Sequence, residues 1–401
     1  MVGAILSSGG IPVDTRLIVA AAGTVAGWLT EPFSPAGTPE PVESVGPFQP
    51  PPTRTPAPVV SHPTPAPRAD DDYLLMSRSE LRSLPTSGPA WEALLAIADG
   101  PLGRPDLTDQ NTRHGINTLA VALVAARTDD RAYRDRARAE ILAAIGTEQE
   151  RAGNSILSLG RQLGAYVLAA DFIKLSGGDD ERFRDWLADI RTRVLGGHGR
   201  WRELTATHED SANNWGAFAG ASRIAASLYL GDTADVERAA QVLRGFLGER
   251  SAWSDFQPVA ESMDWACVPE RYTPVNPPCV RSGIELDGTI VRDISRGGSL
   301  RWPQGASGIS YTLESLQGLI LQAELLYQNG HDDPWRWSDA AIHRIADVVT
   351  ASGAIGGDTW NRSPPSFHLP WILNARYGLD LPTEPAGAGR VFGYTDWLYG
   401  D

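Results

Sequence analysis

A surplus of positive charge is missing from this 401-residue chain: 35 Lys and Arg stand against 49 Asp and Glu, a formal net charge of −14. Nucleic-acid binding needs an exposed basic surface, so the balance argues against that class of function. An anionic partner is acceptable only where a basic cleft acts locally, because charges farther apart than about 10 Å are screened at moderate salt. Cysteine is scarce, with only Cys267 and Cys279, and no further Cys or His beside them to complete a zinc site. Also absent are a Gly-x-Ser-x-Gly elbow, a P-loop, a dinucleotide fingerprint and a His-Glu-x-x-His helix, which removes the usual signatures of esterase, nucleotide and zinc-peptidase chemistry. The apolar run Leu17–Leu29 has only 13 residues, short of the about 20 that span a bilayer and suited to a signal h-region.

What is present divides into three parts. Residues 1–30 read as a signal peptide, with a retained membrane anchor as the alternative; a membrane is a partner only in that second case. Residues 31–70 are dominated by Pro, Thr, Ala, Ser and Val, as in Pro50-Pro51-Pro52-Thr53, a composition that cannot bury a core and forms an extended tether. The expected location is therefore secreted or cell-surface. In such an exported chain, Cys267 and Cys279, twelve positions apart among prolines, read as a disulfide worth on the order of 2–3 kcal/mol, the alternative being two unrelated buried thiols.

Residues 71–401 carry helical periodicity. Ser77 and Ser79 with Glu80 open a run through Trp91, Leu94 and Leu95, and apolar positions recur at three-to-four spacing over Asn117–Ile145. Further helices fit Ile156–Leu175, Arg182–Leu195, Asn214–Leu230, Ala234–Leu247, Thr312–Asn329 and Trp337–Val349. Residues 251–311 have Gly, Pro and aromatics but no long period. The strands of a doubly wound sheet are absent, so the expected fold is all-α: an α/α toroid of helix hairpins with one long irregular insertion. The aromatic C-terminal part (Trp371, Tyr377, Phe392, Trp397, Tyr399) is expected to close it.

Three patches point to chemistry. Asn213-Asn214-Trp215 opens a helix, where free backbone N–H groups and the macrodipole favour an anion, although both asparagines also suit simple capping. Arg296 lies in the Gly-flanked loop Ser295-Arg296-Gly297-Gly298, and Tyr311 precedes Thr312, which reads as a helix cap. Amide donors, a guanidinium and a phenol suit β-elimination beside a carboxylate. The carboxylate must be neutralised, the adjacent C–H proton removed, and the leaving oxygen protonated.

These patches, Asn213-Asn214-Trp215, Asp293-Ile294-Ser295-Arg296-Gly297 and Tyr311-Thr312-Leu313-Glu314 with Ala323-Glu324, resemble the alginate lyase group of α/α-toroid polysaccharide lyases. That group has an Asn-Asn-His helix start, an acidic-x-x-Arg-Gly loop and a tyrosine opening a helix that ends in Ala-Glu. The resemblance spans roughly residues 75 to 350. It implies cleavage of a uronate-containing polysaccharide (alginate, glucuronan or similar) to 4,5-unsaturated uronosyl ends, without a cofactor. Asn214 would neutralise the carboxylate, Arg296 would bind it and tune the phenol, and Tyr311 would be base and acid. Two departures stand out: Trp215 occupies the histidine position of the motif, and 15 positions separate Arg296 from Tyr311, longer than the family interval.

His208, six residues before Asn214 in what reads as a loop over the toroid mouth, is the candidate to replace the missing imidazole. Asn213, His114, Arg113 and Arg161 are candidates for binding substrate carboxylates, and Trp215, Trp302, Trp265 and Trp360 for sugar platforms. Two rival readings remain. An inverting glycoside hydrolase would use two of Asp287, Asp293 and Asp358 about 6.5–9.5 Å apart around a water. A non-catalytic glycan-binding module would explain the absent motif histidine.

Overall fold

The computed structural model describes residues 72–148, 155–195, 203–302, 304–357, 366–385 and 387–400. Backbone contacts divide the chain into Met1–Pro56 and Ala57–Asp401, and every described residue belongs to the second unit. The expected leader at 1–30 and tether at 31–70 lie outside the described residues.

The fold is all-α. The single run expected from Ser77 through Leu95 is instead two helices, α1 (Arg78–Ser83) and α2 (Pro89–Asp99), though its start signal holds: the Ser77 hydroxyl accepts from Glu80 N–H while the Glu80 carboxylate accepts from Ser77 N–H. The single periodic run expected over Asn117–Ile145 is instead two helices, α3 (His114–Thr128) and α4 (Arg131–Ala144). Asp129 turns left-handed at φ 57° to end the first, and the Asp130 carboxylate caps the second. Then come α5 (Ser155–Phe172), α6 (Gly178–Ile190), α7 (Leu204–Asp210), α8 (Asn214–Leu230) and α9 (Thr233–Leu247).

Two rows emerge from burial. Helix α5 is buried along its whole length, and α3 and α8 over most of theirs. By contrast, α6 buries only Phe183, Trp186, Leu187 and Ile190, one stripe of an amphipathic helix. Helix α3 packs on α5, and α5 on α8, with α4 behind α3 and α9 behind α8. The buried row is tight because small residues face each other. A Cβ on Gly160 of α5 would lie 3.0 Å from Ala219 N on α8.

Between α9 and the next long helix lies the expected irregular segment. It holds a two-stranded hairpin, β1 (Val280–Arg281) and β2 (Ile284–Glu285), and the Cys267–Cys279 disulfide, as the sequence implied. Buried Asn276 organises it, accepting from Cys267 N–H at 2.9 Å and donating to Trp265 O and Thr289 Oγ1, each at 2.7 Å. The segment ends in the short helix α10 (Val291–Ile294) and one 3₁₀ turn, Ser295–Gly297. Helix α11 (Ala306–Gln328) follows, packed on both α8 and α10. Then come α12 (Trp337–Ala351), α13 (Leu369–Tyr377) and α14 (Thr395–Leu398). Among the described residues no helix is long and apolar enough to cross a membrane.

The C-terminal residues tie α11 to the start of the domain. Buried Glu324 of α11 receives Arg376 Nε at 2.9 Å, Tyr399 Oη at 3.0 Å and Trp335 Nε1 at 3.2 Å. Farther along, Tyr394 Oη donates to Ile116 O and Trp397 Nε1 to Pro85 O, both at 2.9 Å.

Candidate active site

Helix α8 begins as the sequence suggested. Asn213 is its cap, with Oδ1 accepting from Trp215 N–H at 3.1 Å. Asn214 is the first helical residue and is buried; its backbone N–H donates to Asp293 Oδ1 at 3.4 Å. Its own Oδ1 has no hydrogen-bond partner among the described residues, so the carboxamide is uncommitted on that side.

Asp293, on α10, is the joint of the site. One oxygen takes the Asn214 N–H, and the other accepts from Ser315 Oγ on α11. Its side chain is fully buried. Burial pushes the carboxyl up to about 7, against the opposing pull of Ser315, Asn214 and the guanidinium groups of Arg296 and Arg292.

Three residues beyond Asp293, exposed Arg296 lays its guanidinium over the Tyr311 ring, Cζ 3.7 Å from the centroid. The loop that carries it is pinned from behind, since Trp265 Nε1 donates to Gly298 O at 3.0 Å. Trp265 was expected as a sugar platform. At 1% exposure it is a buried anchor instead.

Tyr311 is not a helix opener. Helix α11 starts at Ala306, with Gly305 as its cap, so Tyr311 sits in the second turn and is half-buried. Thr312 likewise does not cap; its hydroxyl donates back to Gly308 O at 2.9 Å. One turn beyond Tyr311, Glu314 receives Arg161 Nη2 at 2.8 Å and lies 3.6 Å from Arg390 Nε. Arg161 also donates to Gln110 Oε1 at 3.2 Å. Burial lowers its pKa from the ordinary value while Glu314 holds it up.

Arg390 was missed in the sequence. Its backbone N–H donates to Gln317 Oε1 at 3.1 Å, and Arg113 Nη2 donates to Ala388 O at 2.8 Å, which fixes this C-terminal loop beside α3 and α11. The available signal was the Gly389-Arg390 step in a Gly- and Ala-rich loop, the same pattern that singled out Arg296. Asn214, Arg296 and Tyr311 are thus linked through Asp293 and Ser315, with Arg161 and Arg113 joining through Glu314 and the 388–390 loop.

Other expectations require correction. His208 is not in a loop: it belongs to α7 and is 1% exposed. Its Nδ1 lies 3.4 Å from Arg223 Nη1, and its Nε2 faces Gly220, well along α8 from Asn214. Burial, reinforced by Arg223, holds its pKa well below the usual imidazole value, so it is a neutral core residue. His114 opens α3 as expected but points into the core, between Tyr166 Oη at 2.6 Å and Glu140 Oε2 at 3.0 Å. It is fully buried and both of its ring nitrogens are engaged there. Trp215 is 8% exposed, too covered for a stacking platform. Trp302 is half-buried in the loop before α11, and Trp360 lies outside the described residues.

No curated protein and no solved structure matches the chain. Residues 152–250, which run from just before α5 to just after α9 and include the Asn213-Asn214 helix start, match the family model described as alginate lyase. The match covers 99 of the 401 residues, makes that stretch alginate lyase-like, and supports polysaccharide lyase activity in general.

Proposed function

We propose that this chain cleaves a uronate-containing polysaccharide by β-elimination, with Asn214, Arg296 and Tyr311 as the reacting constellation. The uronate carboxylate sits between the Asn214 carboxamide at the start of α8 and Arg296, where amide donors, helix end and guanidinium neutralise it and acidify the neighbouring C–H. Tyr311 removes that proton as phenolate. The electron pair left on carbon forms the new double bond as the bond to the glycosidic oxygen breaks. The phenol then returns its proton to the departing oxygen, giving a 4,5-unsaturated uronosyl end, with no cofactor in the sequence of steps.

The observation that carries this reading is the Arg296 guanidinium 3.7 Å from the Tyr311 ring centroid, which sets a cation for the substrate carboxylate directly beside the proposed base. The inverting hydrolase has less support. Asp287 is paired with Arg344, Asp293 is buried against Asn214 and Ser315, and Asp358 lies outside the described residues. We read the buried row of helices, bridged at its ends by the C-terminal segment, as the incomplete α/α toroid. The first seventy residues are proposed as export leader or anchor plus tether, placing the enzyme outside the cell.

The test is ultraviolet absorbance of the conjugated uronate as the protein meets polymannuronate, polyguluronate, glucuronan and a glycosaminoglycan. A rise on one of these, abolished in Tyr311→Phe with polymer binding retained, is the expected result. New reducing ends without absorbance would move the assignment to a hydrolase. Binding without either signal would leave a glycan-binding module.

A further inference from the structure

We infer that Asp293 is a positioning residue of this site, tying the Asn214 helix start to the Tyr311 helix, and that its proton governs how strongly a substrate carboxylate is received there. The identity of the substrate rests on the proposed β-elimination, but the geometry behind the inference stands alone.

Asp293 joins three elements at one carboxyl group. It lies on α10, takes the first backbone N–H of α8 and accepts from Ser315 on α11, four residues beyond Tyr311. Arg296 follows three residues later on the same segment. A shift of this side chain would move the amide, the guanidinium and the phenol relative to one another.

Asp293 also occupies the spot that an incoming carboxylate would exploit. An ionised Asp293 partly cancels the positive end of α8 and the charge of Arg296, and it repels a second anion. A protonated Asp293 keeps its contacts but leaves the helix end and Arg296 free to act on substrate. The charged and titratable groups that face it are Arg292 and Arg296 from its own segment and Tyr272 from the preceding loop; α8 contributes a backbone N–H and α11 the Ser315 hydroxyl. Burial outweighs the two arginines and brings the carboxyl to about 7, so both forms are present near neutrality.

Two readouts test this on the full chain. Without substrate, the backbone amide signals of Asn214 and Ser315 are followed by nuclear magnetic resonance as pH rises. They are expected to move together with one midpoint near 7, and to stay still in Asp293→Asn, which mimics the protonated form. With the polyuronate that gives turnover, wild-type affinity is expected to fall up to about tenfold per pH unit above that midpoint, the limit when only the protonated form binds. Asp293→Asn should hold its affinity across the same range, and binding to wild type should take up protons from the buffer whereas binding to Asp293→Asn should not. Asp293→Ala, which loses both contacts, should lower turnover at every pH and be rescued by Asn.

Separate or absent amide midpoints overturn the inference, as does an Asn variant with the same pH dependence as wild type. A folded Asn variant that binds but never turns over would make Asp293 an acid or base in the chemistry, which also overturns it. If no polyuronate is bound or cleaved, the reading of the reaction fails, while the amide titration still decides whether Asp293 couples the two helices.

Discussion

Asp293 sets a stability prediction as well as a functional one. Its folded pKa, about 7, lies above the unfolded value of 3.8. The folded state therefore holds more protons between those values, and stability is full at low pH and lost as pH rises through about 7. Three units at about 1.4 kcal/mol each make the loss on the order of 4 kcal/mol. Asp293→Asn should remove it, so thermal melting at alkaline pH should show the variant more stable than wild type, with the gap closing on acidification. A constant gap at all pH would contradict the buried, titrating carboxyl. At this scale the sequence exposed what spacing encodes: the Asn213 cap that starts α8 and the Gly-flanked turn of Arg296 are local patterns, whereas Tyr311 reads as a helix opener and lies in the second turn of α11. Partner choice is not local. His208 reads as a loop histidine until Arg223, fifteen residues on, is seen against it. Glu314 reveals its role only once Arg161 and Arg390 arrive from other elements.

Among the elements, α8 matches the expected bounds at both ends because both are chemically marked, with the Asn213 cap and left-handed Gly231 at φ 73°. Helix α11 begins six residues earlier than expected for the opposite reason. Gly305 and Gly308 read as loop, yet Gly308 is helical and lacks a side chain because the Ile294 carbonyl lies where its Cβ would be. Propensity gave way to close packing. The same logic applies at Gly318, where a Cβ would come 2.5 Å from the Ala217 backbone on α8. Gly318→Ala should push α11 off α8 and cost about 1–3 kcal/mol, read as a lower denaturation midpoint. An unchanged midpoint would show that this interface can yield. The Arg296 loop offers a second test. Trp265→Phe keeps the ring buried but removes the donor to Gly298 O, a net contribution of about 1 kcal/mol. Turnover should fall more than stability, since the loop keeps its fold but loses its register against Tyr311. Equal losses in both would make Trp265 an ordinary core residue.

For the whole molecule, the proposed function raises the question of how a chain of net charge −14 would attract a polyanion. The bulk count argues against it, but the tertiary structure gathers cations locally: Arg161 and Arg390 meet at Glu314, Arg296 lies over Tyr311, and Arg113 holds the loop that carries Arg390. Opposed fields of different reach have a measurable consequence. At about 0.01 M salt the Debye length is roughly 30 Å, so the distant negative surface repels an approaching polyuronate along with the local attraction. Near 0.1 M it shrinks to about 10 Å, which silences remote charges before those inside the site. At about 1 M, near 3 Å, the arginine contacts weaken too. The kcat/KM for polymer should therefore rise and then fall with ionic strength. In Arg390→Ala the maximum should be lower and the high-salt fall shallower, because one of the local cations is gone. A steady decline from the lowest salt would mean that the site field dominates at every distance, and a steady rise would mean that the four arginines are bound up internally and do not reach the polymer.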